Sequence, residues 1–178
     1  DSDTEVLLHL YIEKKEAALE ELDGFFSFAV FDKDENTLFL ARDRFGIKPL
    51  LYYYDEDRFV FASEMKSLLS YTIPKEIDYA SLRQYFQLHY IPAPDTIFKN
   101  VFKLPAGSWA KIKKRDVQVQ SYYKAPYPQK YQAASYQNSQ KELVNLLENS
   151  VQNRLMSDVP LGAFLSGGTD SSAVVALA

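Results

Sequence analysis

The feature that most constrains the fold is a short apolar run that leads directly into a serine- and glycine-rich loop. The run covers residues 159–165, the loop reads Ser-Gly-Gly-Thr-Asp-Ser-Ser over residues 166–172, and a mainly apolar segment follows to Ala178. Adjacent glycines allow backbone N–H groups to converge without obstruction by a Cβ atom. Strand, glycine-rich loop and helix in this order are typical of the beginning of a βα unit in a mainly parallel sheet. The sequence therefore predicts a strand over residues 159–165 and a helix after the loop.

The loop carries groups that suit a phosphate chain. The N-terminus of the following helix would offer unpaired N–H donors and partial positive charge, and the hydroxyls of Ser166, Ser171 and Ser172 add further donors. Asp170 repels a phosphate, so its presence makes sense if Mg²⁺ bridges the two groups. The pattern GxxxxGK[ST] is absent from the sequence, so the loop is not a Walker loop. A serine–glycine turn that merely caps a helix is the alternative interpretation.

The first 124 residues consist of strands with a few helices. Charged turns separate β-prone runs, which predicts three hairpins, at residues 25–41, 50–62 and 108–123. Helical spacing over residues 3–22 predicts an opening helix that Ser2 caps. A second helix is expected over residues 79–90, with Asp78 as its N-cap. Four of its side chains fall at core spacing: Leu82, Tyr85, Phe86 and His89.

A change of composition separates this block from the end of the chain. Residues 125–138 contain prolines, glutamines and tyrosines without periodicity and are the best candidate for a linker. Helical spacing resumes over residues 139–154, ahead of the apolar run and the loop. We therefore expect a first domain at residues 1–124, a linker at residues 125–138 and the beginning of a second domain at residues 139–178.

Composition and charge exclude several classes of function. The net charge is −4 and the basic residues are scattered, which argues against nucleic acid as a partner. No apolar run approaches the roughly 18 residues of a membrane span. The sequence has no cysteine, which excludes a disulfide or a thiol nucleophile within these residues and fits a cytoplasmic protein. His9 and His89 lack a partner at metal-ligand spacing and are expected to be structural.

Six segments of the sequence resemble, in order, the glutamine-hydrolysing asparagine synthetases. The loop is similar to the pyrophosphate-binding loop of the ATP pyrophosphatase family, which cleaves ATP between its α- and β-phosphates. The segments that carry the resemblance are residues 2–5, 22–29, 41–50, 63–68, 103–108 and 154–165. One such patch would be weak support, whereas six in register make the resemblance specific.

This resemblance implies a glutaminase domain joined to a synthetase domain. The first would be the C-terminal part of an α+β N-terminal-nucleophile (class II amidotransferase) fold, a sandwich of two antiparallel sheets between helices. The second would be the start of an α/β parallel-sheet ATP pyrophosphatase domain. In the family an N-terminal Cys, absent from these residues, hydrolyses glutamine. The synthetase adenylates the side chain of aspartate with MgATP, and ammonia then displaces AMP.

The resemblance also implies roles for individual residues. Asp3 would bind the α-amino group of glutamine, although the helix dipole also favours an acidic residue in a first turn, by ~0.3–1 kcal/mol. Phe164 would lie against the nucleotide, and Asp170 would hold Mg²⁺. The residues that would cradle the β,γ-pyrophosphate of ATP are Ser166, Gly167, Gly168, Thr169, Asp170, Ser171 and Ser172.

A charged loop near the middle of the first block allows two interpretations. Its residues Arg42, Asp43, Arg44 and Lys48 could form a clamp for a substrate. They could instead make ion pairs that fix the loop, or contact the second domain. We expect the structural role.

Two other functions stay open at this point. A ligase that resembles β-lactam synthetase would use the same loop for adenylation, and a truncated remnant would act at most as a binding module. The sequence begins without Met and ends within an apolar run, so we expect a part of a longer polypeptide that is inactive in isolation. The full-length protein could form a homodimer.

Overall fold

The structure, a computed structural model, describes residues 2–127 and 135–178. The chain divides into two units, residues 1–126 and residues 127–178. All the strands of the described residues belong to the first unit. Within the same described ranges, no helix is long and apolar enough to cross a membrane.

The first unit opens with two helices where a single helix over residues 3–22 was expected. Helix α1 spans Asp3–Lys14 and helix α2 spans Ala18–Glu21, with a short 3₁₀ turn between them. Ser2 caps α1 as predicted, because its hydroxyl accepts a backbone N–H of the first turn at 3.2 Å. The helix is interrupted at Lys15, whose φ of 53° lies outside the right-handed helical region.

Seven strands and two further helices follow in this unit. The strands are β1 (Ser27–Asp32), β2 (Thr37–Arg42), β3 (Leu51–Tyr54), β4 (Phe59–Ala62), β5 (Val101–Lys103), β6 (Ser108–Lys113) and β7 (Asp116–Ser121), and the helices are α3 (Met65–Leu69) and α4 (Tyr79–Leu88). All pairings are antiparallel, in two sheets of order β1-β2-β6-β7 and β4-β3-β5. The three predicted hairpins are confirmed. The sequence pattern does not predict strand β5, because a strand of three residues is too short to show a periodicity.

Side chains of both sheets and of the neighbouring helices form the buried clusters of the first unit. In β2, Phe39 packs on Tyr11 of helix α1, whereas its neighbour Leu40 packs on Tyr52 of the second sheet. In β3, Tyr53 points away from Tyr52 and packs against helix α3. Successive side chains of a strand point to opposite faces. The first unit therefore combines two antiparallel sheets with helices that pack against them.

Helix α4 lies at the surface, and the prediction that Tyr85, Phe86 and His89 belong to the core is wrong. Asp78 caps the helix as predicted, with its carboxylate accepting the N–H of Ala80 at 2.8 Å. Tyr85 and Phe86 are nevertheless 47% and 72% exposed, and His89 is exposed too. Helical spacing indicates which side of a helix is apolar. It does not indicate whether another element of the described chain covers that side.

The described part of the second unit consists of two helices and the segment between them. Helix α5 spans Tyr136–Gln152 and helix α6 spans Thr169–Leu177. Ser135 caps α5, so this helix begins inside the stretch 125–138 that the sequence suggested as a linker. Part of that stretch, residues 128–134, lies outside the described residues.

The predicted strand over residues 159–165 is not formed. These residues are exposed and contain no strand in the described structure. A strand is stable only when a neighbour pairs with its N–H and C=O groups, and the described part of this unit provides no other strand. The α/β parallel sheet implied by the sequence therefore stays a prediction.

The connection from β2 to β3 carries the chain from one sheet to the other and is organised by Asp43. This side chain is fully buried, and its carboxylate accepts the N–H groups of Phe45, Ile47 and Lys48 at 3.1, 3.0 and 2.9 Å. Burial by itself raises the pKa of the Asp43 carboxyl, but the N–H donors outweigh it and the pKa lies below its ordinary value. The N–H of Asp43 donates to the carbonyl of Phe26 at 2.9 Å.

Arg42 holds the carbonyl groups of the same connection. Its guanidinium donates to the backbone oxygens of Lys48, Gly46 and Leu104 at 2.8, 2.7 and 2.6 Å. Within the described residues, Arg42 and Asp43 thus stabilise the loop through hydrogen bonds to its backbone. Among the described residues neither makes the ion pair expected from the sequence, whereas Arg44 of the same group pairs with Asp23 at 4.0 Å.

Replacing Asp43 by Ala removes a buried carboxylate and leaves three N–H groups of the turn without their acceptor, which is expected to lower the free energy of unfolding by about 3 kcal/mol. The control is Asp57→Ala, because the side chain of Asp57 is 81% exposed and its loss should change the stability by no more than about 0.5 kcal/mol. Urea denaturation followed by the fluorescence of Trp109, the single tryptophan of the chain, measures both. Equal effects of the two substitutions would contradict the role of Asp43.

Candidate functional site

A cleft of about 520 Å³ lies beside helix α1 and strand β1. It falls in the ~300–1,000 Å³ range of small-ligand sites. The residues that line it are Asp3, Thr4, Leu7, Leu8, Phe25, Phe26, Ser27, Phe28, Ala29, Val30, Phe31 and Lys48. The lining is thus mainly apolar and aromatic, and it places residues far apart in the sequence around one space.

Asp3 is exposed in the first turn of α1 and lines this cleft. Its Oδ1 atom accepts the N–H of Thr4 at 2.9 Å. A carboxylate has lone pairs for several donors, so one hydrogen bond leaves capacity for a ligand. An ionised carboxylate at the wall of a cleft suits an ammonium group such as the α-amine of an amino acid.

Lys48 lines the cleft from the connection between β2 and β3. It belongs to the same charged loop as Arg42 and Asp43, whose structural role the hydrogen bonds support. Lys48 differs from both, because only its backbone takes part in those bonds and its side chain is exposed. No local pattern indicates this difference, since the cleft wall is assembled from distant parts of the chain.

The second candidate site is the loop at residues 166–172, which lies at the surface and leads into α6. Gly167 has a φ of 78°, a conformation that residues with a Cβ rarely adopt. The hydroxyl oxygens of Ser166 and Ser171 are 2.9 Å apart, and the Ser171 hydroxyl donates to the carbonyl of Gly168 at 3.0 Å. The loop therefore brings two of the predicted hydroxyls together at the beginning of the helix.

Gly168, which has no side chain, leaves open space beside these hydroxyls. It is the N-cap residue of α6 and has no side chain to cap the helix. A Cβ atom at this position would lie 3.6 Å from the Ser166 hydroxyl and 3.8 Å from the Ser171 hydroxyl. Unpaired N–H groups and partial positive charge lie at the beginning of a helix. Hydroxyls, N–H groups and an open space together form an arrangement that can hold a phosphate group.

The remaining predicted residues flank this space. Thr169 and Asp170 are the first residues of α6, and the N–H of Ser172 donates to the carbonyl of Gly168 at 3.0 Å as part of the helix. Phe164 is fully exposed, two residues before the loop. Its contact with a nucleotide stays a prediction.

The side chains of the loop could supply only some of the oxygen ligands that Mg²⁺ requires. The ion prefers oxygen ligands, and in sites of this kind it is held by one or two carboxylates together with phosphate oxygens and water. Asp170 provides one exposed carboxylate in the first turn of α6. A group of three or more potential metal ligands is absent from the residues that the structure describes. Most ligands of the ion would therefore come from phosphate and water.

Comparison with known proteins finds two families along the chain. The family described as a glutamine amidotransferase domain matches residues 1–123, and the family described as asparagine synthase matches residues 142–178. The chain is 41% identical to asparagine synthetase [glutamine-hydrolyzing] 1 of Bacillus subtilis, with 100% of this chain and 28% of the relative covered. Identity is 39% to putative asparagine synthetase [glutamine-hydrolyzing] 2 of Methanocaldococcus jannaschii, covering 98% of this chain and 34% of the relative.

A relative of lower identity is also named as a glutamine-hydrolysing asparagine synthetase. Asparagine synthetase B [glutamine-hydrolyzing] of Escherichia coli is 34% identical, over 99% of this chain and 27% of its own length. The chain thus spans between about a quarter and a third of the length of these three relatives.

Replacing Gly168 by Ala places a methyl group 3.6 Å from the hydroxyl of Ser166 and 3.8 Å from that of Ser171, without a steric clash. The affinity of the full-length protein for MgATP is expected to fall about tenfold, because the methyl group would take up room that a phosphate group needs beside these hydroxyls. The matched control is Gly162→Ala, since a Cβ at Gly162 meets no atom within 4 Å. Isothermal titration calorimetry measures the affinity of both variants for MgATP. Equal affinities would show that no phosphate binds beside Gly168.

Proposed function

The chain belongs to the glutamine amidotransferase domain family, and on that basis we propose that it is part of an ATP- and glutamine-dependent asparagine synthetase. Glutamine hydrolysis would supply ammonia to an aspartate carboxylate that has been activated as its adenylate, with release of AMP and pyrophosphate. The observation that carries the proposal is the order of the two family matches, residues 1–123 followed by residues 142–178. The names of the relatives favour this activity over that of a β-lactam-synthetase-like ligase or a non-catalytic remnant.

The first unit would be the C-terminal part of an N-terminal-nucleophile sandwich. Its two antiparallel sheets and the helices that pack against them support this assignment. The second unit would begin the α/β parallel-sheet ATP pyrophosphatase domain. We propose domain bounds at residues 1–124 and 139–178, with residues 125–138 between them.

Within the glutaminase part, Asp3 would bind the substrate. Its carboxylate would pair with the α-ammonium group of glutamine in the cleft beside α1. The bond that breaks is the C–N bond of the side-chain amide of glutamine. The family's N-terminal Cys nucleophile is not among these residues, so no residue of this chain is assigned to the attack itself.

Within the synthetase part, the loop at residues 166–172 would hold the β,γ-pyrophosphate of ATP. The hydroxyls of Ser166 and Ser171 and the N–H groups at the beginning of α6 would donate to the phosphate oxygens. Phe164 would lie against the nucleotide. Asp170 would hold Mg²⁺, which when bound neutralises charge on the pyrophosphate that leaves.

The partners of this protein would be small molecules, namely glutamine, aspartate and ATP. The net charge of −4 gives no support to nucleic-acid binding. We place the protein in the cytoplasm with the metabolic enzymes that it resembles. A homodimer of the full-length protein would be compatible with this function.

Replacing Asp3 by Asn removes the charge that would pair with the α-ammonium group while keeping a similar shape. In the full-length protein, the KM for glutamine is expected to rise about tenfold or more, because a hydrogen bond between charged groups contributes about 1.5–3 kcal/mol. Asparagine synthesis from added ammonia should stay within about twofold, since this route does not need the cleft. Equal losses with both nitrogen donors would contradict the assignment.

Replacing Asp170 by Ala removes the proposed Mg²⁺ ligand. Aspartate-dependent formation of AMP from ATP is expected to fall at least about a hundredfold, because the charge of the leaving pyrophosphate is no longer neutralised in place. Ammonia release from glutamine by the same variant should persist. The control is Asp158→Ala, which changes an exposed carboxylate outside the loop. Formation of AMP at the wild-type rate by Asp170→Ala would refute the metal role.

A further inference from the structure

We propose that an aromatic stripe on helix α4 is the surface through which two copies of this protein associate. The stripe consists of Tyr79, Leu82, Tyr85 and Phe86. Residues three and four positions apart are neighbours on the surface of a helix, so these four side chains form one continuous line. Tyr79, Tyr85 and Phe86 are 75%, 47% and 72% exposed. This association would not depend on the proposed enzymatic activity.

The opposite side of α4, which faces its own unit, is polar. Ser81 is buried and Gln84 is half-buried, and the two are neighbours on the helix. Ser81 Oγ and Gln84 Oε1 are buried atoms without a hydrogen-bond partner among the described residues. The three buried apolar clusters found in the described chain include no residue of α4. The helix therefore turns polar atoms inward and apolar side chains outward, the reverse of the usual arrangement of a surface helix.

Both ends of α4 are fixed, so the stripe is presented on a formed helix. At the beginning, the carboxylate of Asp78 accepts the N–H of Ala80 at 2.8 Å, and the N–H of Asp78 donates to the carbonyl of Ile97 at 2.9 Å. At the end, the N–H of His89 donates to the carbonyl of Tyr85 at 2.8 Å. A surface that is already ordered loses little conformational entropy when it binds a partner.

The exposed area of the stripe suits a dimer interface. At ~200 Å² for each aromatic side chain, the exposed fractions of its three aromatic residues correspond to roughly 400 Å². Ile77 and Tyr90, which flank the helix, are 42% and 60% exposed and enlarge this surface. Each partner of a standard interface contributes about 800 Å². The stripe and its flanking residues would thus supply a large share of the area that a stable dimer needs.

Charge and symmetry favour a second copy of the chain as the partner. Arg83 is the single charged residue of α4, and it lies beside the stripe, where a long side chain can keep its charge in water. The stripe itself is neutral, so two stripes meet without repulsion between like charges. Two antiparallel helices are related by a twofold axis, and their dipoles then oppose each other favourably. The surface is therefore complementary to itself.

The spacing of the two most exposed rings defines the contact between the copies. Tyr79 and Phe86 are seven residues apart, which is about two turns or ~10 Å along the helix, and they point in nearly the same direction. In a twofold-symmetric pair, each contact occurs twice with the roles of the two residues exchanged. Tyr79 of each copy would pack on Phe86 of the other, with Leu82 near the twofold axis.

Replacing Phe86 by Glu introduces a carboxylate at both of these symmetric contacts. In the full-length protein, the dissociation constant of the dimer is expected to rise at least about a hundredfold, as measured by sedimentation equilibrium. The control is Ile12→Glu, because Ile12 is 60% exposed on helix α1 and lies outside the stripe. This control should associate as tightly as the wild type.

A mixture of two variants tests directly for contact with a second copy. Tyr79→Lys and Phe86→Glu should each associate weakly when alone. In an equal mixture, the introduced ammonium of one copy would face the introduced carboxylate of the other, and the second contact would keep its original rings. The mixed dimer is therefore expected to be at least about tenfold tighter than the dimer of either variant. A variant that had lost its fold could not regain association in this way.

Three results would overturn the proposal. A full-length wild type that sediments as a monomer, or a Phe86→Glu variant with an unchanged dissociation constant, would show that another part of the chain or another partner covers the stripe. Equal weakening by Ile12→Glu would show that the effect is not specific to α4. A mixture that associates no more tightly than its components would contradict the contact between Tyr79 and Phe86. Ammonia release from glutamine, measured separately, tests the glutaminase function.

Discussion

The buried carboxylate of Asp43 is the interaction on which the first unit depends most. A chain that passes from one sheet to the other must turn between β2 and β3, and the N–H groups of that turn need acceptors away from water. Asp43 supplies an acceptor to three of them, and its own N–H is bonded to Phe26. Through its side chain and its own N–H, Asp43 thus connects the turn between the two sheets, including the backbone of Lys48, to the residue that precedes β1. The geometry of the cleft follows from this connection.

Local features of the fold are predictable from the sequence, whereas the packing is not. The hairpins and the caps at Ser2 and Asp78 depend on neighbouring residues and are found as predicted. The exposure of Phe86 depends on what covers helix α4, which no spacing within the helix reveals. The missing strand at residues 159–165 has the same origin, because a strand requires a partner elsewhere in the chain.

The two candidate sites likewise differ in how far they can be predicted from the sequence. The loop at residues 166–172 concentrates its hydroxyls, glycines and carboxylate in one stretch, so its chemistry can be read from the sequence alone. The cleft beside α1 is built from residues 3–8, 25–31 and 48, which only the fold brings together. Sequence resemblance indicates Asp3 in that cleft, whereas only the fold shows that Lys48 lines the same space.

We propose that this chain belongs to an enzyme that joins glutamine hydrolysis to adenylation of aspartate. A product analysis of the full-length protein with glutamine, aspartate and MgATP, in which nucleotides and amino acids are quantified together, tests this proposal. We expect asparagine, glutamate, AMP and pyrophosphate to accumulate, and AMP formation to stop when aspartate is omitted. Formation of ADP and phosphate, or of AMP without any need for aspartate, would contradict it.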